Sequence, residues 1–441
     1  MNETTIKNER NNHQIGKGID KQKGLILKIF QLRESEVRSY SRAFPTVFST
    51  AKDAYLYDTQ GKQYIDFLSG AGTVNYGHNN AVMKQAIIDY LQADGVVHSL
   101  DMATEAKRQF LEKFESVILK PRNLDYKIQF PGPTGTNAVE AALKLARKIK
   151  KRANVIAFTN SFHGLSSGSL SITSNSFYRH EAFTNRTNVS FVAYDGYFGQ
   201  EVNTIDYLRR FLEDNSSGID LPAAIILETV QADGGINVAS VSWLQQLEQL
   251  CRKFDILLIV DDIQVGNGRT GQFFSFERAG IQPDIVTLSK SLSGFGLPLS
   301  LVLMKPELDQ WLPGEHTGTF RGNNLALVTA NETLRYWETD DFSKSIKRKS
   351  QLLEKTLFDI QARYPELNVQ VRGIGLIYGL DIPDPEMTQA IAGEMFKLGV
   401  IIERCGVEDR VLKFLPPLII EENVLKTGLE TMNQSIKAIF K

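Results

Sequence analysis

The residues best placed to do chemistry are Lys290 and the carboxylate pair Asp261 and Asp262. Lys290 closes the apolar run PDIVTLSK and is followed by SLSGFG; the two acids close a second run, ILLIVDD, followed by IQVGNGRTG. The runs lie about 30 residues apart, roughly the length of one strand–connection–strand unit. Side chains at the carboxyl ends of parallel strands face the crevice where α/β sheets bind ligands. A lysine there can join an aldehyde, and a carboxylate can hold a protonated pyridine nitrogen. Together they suit pyridoxal phosphate, which needs both. Taken alone, Lys290 reads more simply as a strand-end amine reaching for water. Other motifs tip the balance.

The stretch KIQFPGPTGTNAVEAALKLARK ends a strand, makes a Gly/Pro-rich turn and starts a strong helix near Asn137. Unpaired N–H groups and the positive end of the helix dipole make such a start an anion site. Gly135 and Thr136 are the candidates for contact with a phosphate. No GK[ST] follows and the three-glycine dinucleotide pattern is missing, so neither nucleotide-loop reading applies. In SFHG (161–164), Phe162 stands at a strand end where an aromatic ring can stack on a flat cofactor, with His163 beside it. Only one of the paired acids can face the same crevice, because strand neighbours point opposite ways. Spacing alone does not choose between them; Asp261 is taken as the chemical one and Asp262 as structural. Gln264, three residues on, is within reach of a ring oxygen. Thr319, in GTFRGNN (318–324), has no evident structural task.

These residues need a scaffold. Seven short apolar runs, at 127–130, 154–158, 190–194, 223–229, 256–262, 284–289 and 299–304, alternate with helical patterns over most of their length. That predicts an α/β fold with a mostly parallel seven-stranded sheet covered on both faces. The last run follows Lys290 too closely for a helical crossover, so it should be antiparallel. Helices fit 81–94 and 104–119, and a long helical pattern begins near Asn324. Asp58-Thr59-Gln60-Gly61 marks a hairpin turn. The expected division is a disordered extension (1–26), an N-terminal segment joining a smaller unit (27–75), a large cofactor-binding domain (76–325) and a small α+β domain (326–441).

The bulk numbers narrow the function. A net charge of −1 gives no reason to expect nucleic acid or an anionic membrane as a partner. Two cysteines without a CxxC pattern argue for a reducing compartment and against structural zinc. The polar first residues carry no secretory signal, and no apolar run of membrane-spanning length occurs. A cytoplasmic enzyme without a metal is the expectation.

In order and approximate separation, these pieces resemble the class III (ω-type) aminotransferases of pyridoxal-phosphate fold type I, from about residue 30 to 418. The core of the likeness is DDIQVGNGRTG followed by LSK. ESEVRSYSRAFP, NYGHNN, LDMATEAKRQFLEKFE, AYDGYFG, SSGIDLPAAIILETVQ and LSKSLSGFGLPLSLVL are similar to the branch acting on diaminobutyrate and 2-oxoglutarate, with relatives in ectoine and siderophore pathways. The resemblance implies that Lys290 is the Schiff-base lysine, Asp261 the pyridinium partner, Gly135 and Thr136 the phosphate ligands, and Phe162 the stacking ring. It implies that Gln264 sits near the ring oxygen and that Thr319 reaches the cofactor of a neighbouring subunit, hence at least a homodimer. It further implies ping-pong transfer of a terminal amine between L-2,4-diaminobutyrate and 2-oxoglutarate, small molecules being the only other partners.

Glu228, Asp233, Arg404 and Lys413 are the candidate substrate ligands. Two of them depart from the class pattern. Asp233 replaces a glutamate in QADGG, and Lys413 replaces the arginine that binds an α-carboxylate. A lysine is a point charge and cannot form a bidentate fork. Whether Arg404 or another basic residue reads that carboxylate, or the substrate itself is changed, therefore stays open.

Overall fold

The computed structural model describes residues 27–183 and 187–440. The stretch 1–26, expected to be disordered, lies outside them. The seven apolar runs form one sheet in the spatial order Lys127–Gln129, Leu301–Met304, Ile285–Leu288, Leu257–Asp261, Ala224–Leu227, Val155–Phe158, Val189–Val192. Leu301–Met304 is antiparallel to both neighbours, and the other paired strands run parallel. Its short link to Lys290 leaves no room for a crossover helix, which decides the direction.

Five central strands are buried along their whole length, which is why they read as continuous apolar runs. Alternation still divides them between the two faces. Val155, Ala157, Ala224, Ile226, Leu257, Ile259 and Ile285 pack with Ala138, Ala142 and Leu145 of the helix Gly135–Lys150. Ile156, Phe158, Ile225, Leu227, Leu258, Val260 and Val286 belong to the larger core on the other face.

The helix Gly135–Lys150 begins two residues before the expected start because Thr134 caps it. The Asn137 side chain accepts from the Thr134 backbone N–H at 3.1 Å, closing a capping box with asparagine in the usual glutamate place. The helix expected over 104–119 is α-helical over Glu105–Lys113 and continues as a π-helical segment, Phe114–Leu119.

A second sheet, entirely antiparallel, runs Gln370–Ile374, Ile377–Asp381, Val411–Phe414, Glu403–Cys405. Helices Asp341–Arg363, Pro385–Lys397 and Glu422–Ile439 pack around it. The N-terminal hairpin forms as its turn predicts: Asp58 Oδ1 accepts from the Gln60 and Lys62 N–H groups at 2.9 and 3.0 Å, and Gly61 takes φ +82°. Its strand Gln63–Asp66 pairs in parallel with Val400–Ile401, so the two ends of the chain share one sheet. Among the described residues, no helix is long and apolar enough to cross a membrane.

Candidate active site

Four neighbouring parallel strands end on candidate residues. Phe162 follows Val155–Phe158, Glu228 follows Ala224–Leu227, Asp261 ends Leu257–Asp261, and Lys290 follows Ile285–Leu288. The crevice above strand ends is therefore where this fold gathers its chemistry.

Asp261 continues the face of Leu257 and Ile259, toward the Gly135–Lys150 helix. It is buried, with Oδ2 2.7 Å from His163 Nδ1. Oδ1 accepts from the Thr287 hydroxyl and the Ile263 N–H, both at 3.2 Å. Burial works against a charged imidazole, yet the Asp261 hydrogen bond and charge outweigh it and raise His163 above the ordinary histidine value. The remaining ring nitrogen, His163 Nε2, is buried without a hydrogen-bond partner among the described residues. Asp262 turns the other way and accepts from the Ser275 N–H at 3.1 Å, and burial raises its carboxyl to about 7. Side-chain direction thus separates the two acids that spacing could not.

Lys290 is half-buried and adopts φ +49°, the left-handed region that non-glycine residues rarely occupy. Burial first, and then the positive charge of Lys413, lower its amine to about 8. The residue beside it is held firmly. The Ser291 hydroxyl accepts from the Asn75 N–H at 2.9 Å and donates to the Gly72 carbonyl at 2.7 Å. Asn75 Oδ1 in turn accepts from Arg269, a fully buried guanidinium that also donates to the carbonyls of Leu376 (2.8 Å) and Pro416 (2.6 Å).

Gly135 and Thr136 open the helix, so their N–H groups fall outside its internal ladder. Any side chain at 135 would meet Ile263 Cδ1 at 2.9 Å. The Thr136 hydroxyl is engaged with Ser166 and Ser169, each 2.6 Å away, so the backbone is what this turn offers an anion. Phe162 is half-buried, with its ring edge-on to Tyr178 at 5.5 Å. Gln264 Nε2 donates to the Ala71 carbonyl at 2.7 Å, tying this loop to the N-terminal segment. Thr319 lies exposed in its loop.

The expected substrate ligands divide. Glu228 is 6% exposed, and its carboxyl oxygens accept from the Phe162 N–H (3.0 Å) and the Ala232 N–H (3.4 Å). Burial raises its carboxyl to about 7. Glu403 and Lys413 are directly opposite in the antiparallel pair, so alternation turns Arg404 to the other face, where Asp409 lies 3.8 Å away. Lys413 does reach the crevice. It is buried, with Nζ 2.7 Å from Glu403 Oε2 and 3.9 Å from Asp233 Oδ1. Burial opposes its charge, but Glu403 outweighs that and holds the ammonium above the usual lysine range. The second Glu403 oxygen accepts from the Tyr40 hydroxyl.

Sequence reasoning missed Glu403, Tyr40, Arg269, Asn75 and Ser291 as site residues. Tyr40 lies within the ESEVRSYSRAFP stretch, but its partner is 363 positions away and no local pattern links them.

Comparison with known proteins agrees with this architecture. Residues 37–436 match the family described as aminotransferase class-III. The chain is 60% identical over 415 residues to a diaminobutyrate–2-oxoglutarate transaminase of Wolinella succinogenes, spanning 94% of this chain and 97% of that one. A Bordetella bronchiseptica protein with the same name is 58% identical over 412 residues, covering 93% and 95%. Among solved structures, an ornithine aminotransferase from Toxoplasma gondii superposes with a TM-score of 0.82 at 25% identity, over 95% and 96% of the two chains. A Bacillus anthracis aminotransferase shares the fold with a TM-score of 0.83 at 24% identity, over 95% and 99%.

Proposed function

This chain belongs to the class-III aminotransferase family, and from that premise we propose that it moves the terminal amine of L-2,4-diaminobutyrate to 2-oxoglutarate, yielding L-aspartate 4-semialdehyde and L-glutamate. What carries the substrate reading is the 60% identity, over nearly the whole of both chains, to a transaminase bearing that name. Class-III aminotransferases use pyridoxal phosphate, and the residues present fit it. The buried Asp261 carboxyl, hydrogen-bonded to His163 at 2.7 Å, suits the cationic nitrogen of the ring. When bound, the cofactor supplies an aldehyde that takes up amines and a ring that draws electrons from the bond being broken.

The chain's own residues do the rest. Lys290 would hold the aldehyde of the cofactor, and its Nζ would take a proton from the carbon bearing the substrate amine. An amine lowered to about 8 is uncharged often enough near neutrality to do so. Asp261, supported by His163 and Thr287, keeps the ring nitrogen protonated. The Gly135 and Thr136 N–H groups would hold the phosphate, Phe162 would pack against the ring and Gln264 would face its oxygen. Lys413 attracts the substrate carboxylate, Glu403 orienting it. Thr319, exposed in one protomer, completes the phosphate site of a second copy, making the working unit a cytoplasmic homodimer or a larger assembly of dimers.

The test is an amino-donor comparison. Glutamate formation from 2-oxoglutarate should be at least about tenfold faster, per unit kcat/KM, with 2,4-diaminobutyrate than with ornithine or 4-aminobutyrate. Preference for either alternative amine, or product without the oxoacid, would overturn the reading.

A further inference from the structure

Besides Asp261, three charged residues act on the Lys290 amine: Lys413, Glu403 and Asp233. Two of them pair directly. Glu403 has one carboxyl oxygen on Lys413 at 2.7 Å and the other on the Tyr40 hydroxyl, so its charge is spent within the protein. Asp233 is different. Its carboxylate stops 3.9 Å short of Lys413, its side chain is 34% exposed, and no hydrogen bond reaches either carboxylate oxygen among the described residues.

The backbone that carries it is nevertheless fixed. The Asp233 carbonyl accepts from the Gly406 N–H at 2.9 Å, tying the loop to the Glu403–Cys405 strand. Gly234 sits so close to the end of the Val155–Phe158 strand that a side chain would lie 2.1 Å from the Asn160 carbonyl. An anchored, accessible, incompletely paired carboxylate therefore stands in the crevice, and the local balance of Lys413, Glu403 and Asp233 is one negative charge.

We propose that Asp233 recognises the α-ammonium group of the diamino substrate and is the residue that selects a diamino acid over a monoamine. The assignment rests on the diaminobutyrate reading above and extends it. A 2,4-diamino acid reacting through its terminal amine presents, at its other end, both an ammonium and a carboxylate. Lys413 attracts the carboxylate and Asp233 the ammonium, so both charges of the amino-acid head are matched. 4-Aminobutyrate has the same reacting amine and the same carboxylate but no second ammonium. Glutamate, reacting through its only amine, likewise has nothing for Asp233 to hold. The short aspartate side chain matters: stopping short of Lys413 and partly exposed, it keeps acceptor positions on its open side for the substrate ammonium.

The experiment compares kcat/KM for 2,4-diaminobutyrate, 4-aminobutyrate and glutamate in the holoenzyme and in Asp233→Asn and Asp233→Ser. A charge-assisted hydrogen bond corresponds to about a tenfold to hundredfold effect. The ratio of diaminobutyrate to 4-aminobutyrate efficiency should fall by that factor in both variants, mainly through KM. An unchanged ratio would overturn the proposal, as would an equal loss on all three amines, which would make Asp233 a structural residue. Failure of the wild-type protein to use diaminobutyrate at all would instead sink the substrate reading on which it rests.

Discussion

His163 and Asp261 lie 98 positions apart in the chain, yet Nδ1 of one is 2.7 Å from Oδ2 of the other, with both side chains buried. The imidazole hydrogen-bonds the carboxylate, and the carboxylate raises the affinity of the imidazole for its proton. The dyad has one open end, the unpartnered His163 Nε2.

Removing the imidazole should loosen cofactor binding. In His163→Phe, Asp261 keeps only the Thr287 hydroxyl and the Ile263 N–H. Losing a charge-assisted hydrogen bond should raise the dissociation constant for pyridoxal phosphate about tenfold to hundredfold. His163→Asn, whose amide can stand in for the Nδ1 donor, should recover part of that loss. Equilibrium titration of apoprotein, followed by cofactor absorbance, reads both; identical binding by all three proteins would rule out the dyad's role.

The Lys290 amine should show its own pH signature. Its value in the fold is about 8, below the unfolded lysine value of about 10.4. Because the folded chain binds the proton less tightly, the charged form is penalised below pH 8, and attachment of an aldehyde needs the neutral form. The rate at which apoprotein takes up pyridoxal phosphate should therefore rise with pH and level off above about 8. In Lys413→Met, loss of the like charge should move that midpoint upward. A midpoint at the unperturbed lysine value would contradict the environment described, and uptake by Lys290→Ala with an unaltered visible band would place the attachment elsewhere.

Arg269 should prove essential to stability through three acceptors at once. Its guanidinium bridges Asn75, Leu376 and Pro416, drawn from three remote stretches of chain, with no carboxylate bonded to it. Burial accordingly lowers its affinity for the proton, to about 9. Arg269→Lys keeps a charge but cannot satisfy three directions. Two lost bonds at a buried site predict a fall in thermal midpoint of about 5 °C or more. Since Asn75 also clamps Ser291 beside Lys290, the same variant should broaden the pH midpoint of cofactor uptake. A melting curve that overlays wild type would show that the bridge is dispensable.

Much of the scaffold was legible along the chain. Continuous apolar strands come from a sheet covered on both faces, and the antiparallel seventh strand follows from the length of the link after Lys290. The hairpin at Asp58 and the capped start of the Gly135–Lys150 helix are local events, governed by side chains that bond to backbone a few residues away. Residues at strand ends, among them Lys290, Asp261 and Phe162, could be nominated because strand ends are where this kind of sheet opens.

Sequence alone thus determined the strands, the helix starts and which residues stand at the rim of the sheet, because each depends on contacts within a few positions. Tertiary structure decided which acid of the Asp261–Asp262 pair meets His163 and that Glu228 faces inward. It also decided that Glu403, rather than Asp233, takes up Lys413. Those outcomes turn on side-chain direction and on pairing between segments far apart in the chain, and a linear pattern contains neither.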